Sequence, residues 1–278
     1  MPRLTYVILI ALLGIVCSAS AEWPVEGIEP MGQVGMMITV PDTSGGIWLI
    51  YDSSDPPPSL SEIRSTVLKG AKSTQLTQGF LRIQHIDSTG NKLLGEYGHS
   101  VIQDTTDSLA WLHGAVPTSD GGVIIAYLAA TPFYNSDSTR RYYGLYGQRF
   151  SASGEPMWQK HGVPLAVKEG LSYFYSYDQY PEYVCCSDGM DGMWLLAYKD
   201  FTPEVDITNV HSDGTLNSNY SDLFPVGRGA NIRTGDGVAI CEDGKGGVFI
   251  GYVDDASGSF EFEHLSQNSH VGGGARNL

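Results

Sequence analysis

The chain has 278 residues, with 31 Asp and Glu against 16 Lys and Arg, and a formal net charge of −15. Phosphate binding needs clustered cations, so this balance excludes a nucleic-acid partner and marks little beyond a soluble surface. No apolar run after the first segment is long enough to span a bilayer, which argues against stable membrane insertion.

Residues 1–21 read as a leader. Arg3 supplies a positive charge, "VILIALLGIVC" (7–17) is an apolar run, and "ASA" (19–21) ends in small residues before Glu22. The run falls short of the about 20 residues a bilayer-spanning helix needs, so it reads as a secretory signal peptide cleaved after Ala21. The remainder is expected to be secreted, periplasmic or at the cell surface. Cys185, Cys186 and Cys241 remain in it, an odd number with no zinc spacing. They are expected as buried small hydrophobes rather than a disulfide framework.

"EWPVEGIEP" (22–30) follows, with Gly four residues after Trp, as in "MWQKHGVPL" (157–165). It reads as the tail of a repeat unit. The expectation is an N-terminal strand that completes the last unit and removes its exposed edge.

The first full unit opens with "TSGGIWLIY" (43–51), and three other stretches repeat that phrase: "SDGGVIIAY" (119–127), "GMDGMWLLAY" (189–198) and "GKGGVFIGY" (244–252). Aligned on Gly46, Gly122, Gly192 and Gly247, each carries Trp48, Ile124, Trp194 or Phe249 two residues on, and then Tyr51, Tyr127, Tyr198 or Tyr252. Apolar runs this short after Gly/Asp turns read as strands buried on both faces. Asp42, Asp120, Asp188 and Asp243 precede the glycines and are expected in Asx turns, not metal sites. Between the first and second phrases, "PPPSLSEIRSTVLKGA" carries a Ser59/Glu62 capping box, a Leu60/Ile63/Val67/Leu68 face and Gly70 as a stop, which predicts one short helix.

Each phrase is followed by a second strand-and-turn: 81–101, 145–167, 206–217 and 260–269. Gly90, Gly154 and Gly214 match in the first three and are expected at positive φ. With three or four strands per unit, few helices and variation confined to loops, the pattern indicates an all-β chain. Its expected architecture is a β-propeller of about four repeat units spanning 22–278. His85, Arg149, Asn209 and His264 occupy one place in the four units, and the histidines there are expected as exposed strand residues.

The second unit, "DGGVIIAY…YGLYGQRFSASGEPMWQKHGVPLAV", resembles tandem modules of secreted and cell-surface bacterial proteins, with their Gly-Gly strand, Tyr-x-Gln-Arg, Gly, Trp and Gly-Val. The resemblance covers most of 22–278 and is strongest in this unit. It implies propeller blades in a protein made for export or surface attachment, and it brings no catalytic residues.

No nucleophile elbow, zinc helix, calcium loop or phosphate-cradling loop appears, so no catalytic residue, metal or cofactor is assigned. Binding chemistry concentrates in "LSYFYSYDQYPEY" (171–183), with Tyr173, Tyr175, Tyr177 and Tyr180, and in the loop bearing Tyr134 and Tyr142. Tyrosine offers a flat apolar ring with a polar tip, suited to a polysaccharide or protein partner. The competing reading is that these rings pack between the repeat units, since Tyr fits a strand and alternates in and out. The alternatives are a carbohydrate-active enzyme of the same shape, glycosidase-like or sialidase-like, and a structural segment of a larger surface protein.

Overall fold

A computed structural model describes residues 34–53, 80–96, 98–102, 110–131, 142–167, 183–198, 205–217, 239–254 and 259–266. The described residues are all-β, with 15 strands in four antiparallel sheets and no helix. The first sheet holds β1 (Val34–Pro41), β2 (Ile47–Ser53), β3 (Phe80–Ile86) and β4 (His99–Ser100). The second holds β5 (Ala110–Pro117), β6 (Val123–Thr131), β7 (Tyr142–Phe150) and β8 (Val163–Val167). The third holds β9 (Tyr183–Ser187), β10 (Met193–Tyr198), β11 (Val205–Val210) and β12 (Leu216–Asn217). The fourth holds β13 (Ala239–Glu242), β14 (Val248–Asp254) and β15 (Ser259–Leu265). In every sheet the strands pair in chain order, so each sequence unit is one up-and-down sheet. The segment of the expected helix, 59–70, and the expected N-terminal strand, 22–30, lie outside the described residues.

The continuous apolar runs are explained by how these sheets pack. On β6, Val123, Ile125 and Tyr127 join Trp48, Ile50 and Ile83 of the first sheet in one core. The alternate residues Ile124 and Ala126 face the other way, against Met193, Leu195 and Val210 of the third sheet. Trp194 and Leu196 then meet Val248, Ile250 and Tyr252 of the fourth. Each fully buried aliphatic side chain contributes about 1.5–3 kcal/mol of transfer free energy, so these cores dominate the stability. A middle sheet sandwiched by two others has no solvent face, and no alternation survives in its sequence.

The first strands of successive sheets also touch, β1 with β5, β5 with β9 and β9 with β13. Gly114, next to a bulge in β5, makes this possible: a Cβ there would strike the Cys185 sulfur on β9. The expectation of buried cysteines is corrected: Cys185 and Cys186 are only half-buried, Cys241 is exposed, and all three are free thiols. Burial pushes the Cys185 thiol up to about 11 and the Cys186 thiol up to about 12. Thiolate is the reactive form. Iodoacetamide at pH 8 should therefore modify Cys241 first and the other two only on unfolding; equal labelling rates in peptide mass spectra would contradict this packing.

Candidate functional site

The two ends of the sheets differ, and the contrast locates the candidate site. At one end lie the turns between first and second strands. Asp42 Oδ1 accepts the N–H groups of Ser44 and Gly46 at 2.8 and 2.6 Å. Asp188 repeats this with Met190 and Gly192, and Asp243 with Lys245 and Gly247. In the second sheet Thr118 takes the place of the aspartate, and its hydroxyl donates to Asp120, displaced by two residues, which also accepts the Gly122 N–H. The residue before the last glycine has positive φ: Gly45, Gly121, Gly246, and in the third copy Asp191 at 63°. The Asp191 carboxylate accepts the N–H and hydroxyl of Ser119 in the second sheet. The turns between third and fourth strands are equally regular, and Gly90, Gly154 and Gly214 have φ of 88°, 78° and 85°, as the sequence predicts.

The other carboxylate oxygen of each turn aspartate meets a side chain from the third strand. These partners are His85 Nε2, Arg149 Nη2, Asn209 Nδ2 and His264 Nε2, at 2.7, 2.8, 3.3 and 2.7 Å. The expectation of exposed strand histidines holds for His264, which is exposed, and is corrected for His85. His85 is buried and stacked on Trp48, because strand register sets it opposite that ring and the turn aspartate supplies its polar partner. Its Nδ1 reaches the Ala152 carbonyl of the second sheet, as Arg149 reaches the Ser212 carbonyl of the third. Trp48 and Trp194 likewise donate Nε1–H to Gly121 and Gly246 in the sheet that follows. Burial alone would raise the Asp42 and Asp243 carboxyls; hydrogen bonds, led by those from His85 and His264, hold both below the usual carboxylate range.

One sequence element gains a role that spacing alone did not reveal. The Gln of "YGQR", Gln148, accepts the Arg149 and Trp158 N–H groups on Oε1 and donates Nε2–H to the Gln159 carbonyl. Gln84 does the same with His85, Leu94 and Gly95. This clamp fastens the chain that leads into the fourth strand.

At the opposite end the chain is not repetitive. The segment between second and third strands runs from 54 to 79 in the first sheet, 132 to 141 in the second, 199 to 204 in the third and 255 to 258 in the fourth. The links from one sheet to the next, 103–109, 168–182 and 218–238, leave a fourth strand and enter a first strand at this same end, because neighbouring strands are antiparallel. Tyr142 begins β7 opposite Thr131 of β6, at this end. Tyr134 falls in 132–141, and Tyr173, Tyr175, Tyr177 and Tyr180 fall in 168–182; these five lie outside the described residues. The strands that flank these two segments, β6 and β7 for one and β8 and β9 for the other, meet them at this end of their sheets.

Among the described residues no group of His, Cys, Asp and Glu could hold a metal ion. Burial pushes His113 on β5 down to about 4, so its ring is neutral at physiological pH. Glu261 and Glu263 on β15 converge on the Tyr252 hydroxyl, at 3.4 and 3.1 Å, and burial raises the Glu263 carboxyl above its usual value.

No family model matches the chain, and no curated protein matches it. Among solved structures it is similar to Zg3597, a family 117 glycoside hydrolase of the marine bacterium Zobellia galactanivorans, at 16% identity and a TM-score of 0.37, over 70% of this chain and 47% of that one. The chain thus spans about half the length of that enzyme.

Proposed function

We propose that the chain is an exported, non-catalytic β-propeller in which four repeat sheets carry a variable loop end for binding a polysaccharide or a protein outside the cell. The observation that carries this reading is the contrast between the two ends. The Asp–Gly turns keep one length in all four sheets, and their polar groups are spent on one another and on the neighbouring sheet. The opposite connections vary from four residues, 255–258, to a segment running from 54 to 79. A rigid scaffold with variable loops at one end is how recognition surfaces are built. The five tyrosines in 132–141 and 168–182, with Tyr142 beside them, give that end the composition of a sugar or protein contact surface. The leader at 1–21 supports export.

The test is a glycan array and an extracellular-protein pull-down with the parent chain and with Tyr175→Ala/Tyr177→Ala. Binding should fall at least ~10-fold, the loss of about 1.4 kcal/mol or more, with melting unchanged. A collapse in melting temperature, or no bound ligand in either screen, overturns the reading.

A second reading, a carbohydrate-active enzyme, draws on the shared hydroxyl of Glu261 and Glu263. Two adjacent carboxyls, one of them raised, are the groups a glycosidase uses. A broad glycosidase screen decides it: turnover that disappears in Glu263→Gln would favour the enzyme.

A further inference from the structure

The fourth sheet presents a docking half-site that the other sheets have already filled, and we infer that residues Trp23–Glu29 of this same chain fill it as a fourth strand on β15. Among the described residues this sheet has three strands where the others have four. The face it would turn toward a next sheet bears Phe249, Phe260 and Phe262 at 42%, 55% and 47% exposure, against 0% for Trp48 and Trp194 at the position of Phe249. An apolar face of that kind is a binding surface rather than a solvent surface.

The filled sites define what fits. In the second sheet Trp158 lies over Gly147 and against Gly214 of the third sheet, and Gly162 follows it by four residues with φ of 80°. In the first sheet Leu94 lies against Gly154, and Gly98 follows it by four residues with φ of 66°. A Cβ on Gly162 or Gly98 would strike the carbonyl of Gly147 or Ile83 on the third strand, so both positions need glycine twice over. The residue after that glycine then pairs with the third strand, Val163 with Gly147 and His99 with Ile83. The sequence 22–30 holds the same spacing, Trp23 to Gly27. The place of Gly147 and Ile83 is taken in the fourth sheet by Phe262, opposite Gly251. The inferred register therefore pairs Ile28 with Phe262 and lays the Trp23 ring on the exposed phenylalanines.

Two polar groups fit this register. Glu263 occupies the place of Gln84 and Gln148, each opposite the third residue after the aligned glycine. Its carboxylate can accept the Trp23 N–H as Gln148 Oε1 accepts that of Trp158. Tyr127 donates its hydroxyl to the carbonyl of His161, the residue before Gly162. Tyr252 holds the same place in the fourth sheet and would donate to Glu26, leaving the two glutamates it now contacts.

Hydrogen–deuterium exchange on the full chain tests this, with Trp23→Ala/Gly27→Val as the comparison. Amides of 259–265 should exchange at least ~10-fold faster in the variant, with new anilinonaphthalene sulfonate binding and unchanged protection in β6. A second variant, Ile28→Cys/Phe262→Cys with the three native cysteines replaced by alanine, should close a disulfide within one chain under mild oxidation. Equal exchange of 259–265 in the parent and the first variant overturns the inference. So does a disulfide that joins two chains, which would make a second copy the donor.

Discussion

Gly192→Ala is expected to cost about 3 kcal/mol, combining an overpacked core with a displaced buried hydrogen bond. Gly192 does not have positive φ, so backbone freedom is not the reason. The reason is room. A Cβ would sit on the Asp188 carboxylate and the Val210 carbonyl, and Asp188 is fully buried. To make space the carboxylate must leave the N–H groups of Met190 and Gly192 and the Asn209 amide. Gly46 and Gly247 meet the same two obstacles, a turn carboxylate and a third-strand carbonyl, and at Gly122 the Thr118 hydroxyl stands in for the carboxylate beside the Phe150 carbonyl. The glycine that marks every repeat is thus fixed by close approach. Gly244 is the control. It has φ of 71° and nothing within 4 Å of a Cβ, so alanine there costs only the backbone strain, about 1 kcal/mol. Thermal melts should place Gly192→Ala well below Gly244→Ala; if the two melt together, the packing argument fails.

The repeat was legible because its parts keep one residue type. The glycine and the apolar run recur in place in all four copies, with the preceding aspartate in three, and strand, turn and buried core follow from them. Three features were hidden for physical reasons. The partner of the turn aspartate is His, Arg, Asn and His in the four copies. What is shared is a hydrogen-bond donor opposite the aromatic position, and strand register shows it where residue identity does not. In the second copy Thr118 replaces the aspartate and Asp120 stands two residues later, so an alignment on aspartate alone merges two different bonds. The clamp made by Gln84 and Gln148 joins residues ten apart across a turn, beyond any short-period pattern. The tyrosines were found by density alone. Composition says that a connection is aromatic, and topology says at which end of the sheets it leaves.

His85→Ala is expected to cost about 3 kcal/mol, the upper end of the cost of leaving a buried acceptor short of a hydrogen-bond partner, because that acceptor is a carboxylate. The Asp42 side chain is 1% exposed, so in the intact fold its carboxylate relies on protein groups for its hydrogen bonds. The ring also stacks on Trp48, with centroids 4.2 Å apart and planes at 10°, and bridges to the Ala152 carbonyl of the second sheet. Both ring nitrogens therefore face oxygen atoms, as the Arg149 guanidinium faces Asp120 and the Ser212 carbonyl. His85→Arg should for that reason recover a large part of what His85→Ala loses, whereas His85→Leu, similar in bulk and without donors, should not. The sign of the pH effect follows from Asp42. Its folded carboxyl lies below the usual value, so the pair stabilises the fold fully above about pH 4, the unfolded carboxylate range, and the gain disappears as pH falls through the lower folded value. The gap in urea midpoint between the parent chain and His85→Ala should be narrower at pH 3 than at pH 7, because acid begins to protonate the Asp42 carboxyl that the ring serves, while the stacking on Trp48 remains. A gap of the same size at both pH values would mean that His85 acts through ring packing alone, and the Asp–donor bond would then not be what joins each turn to its sheet.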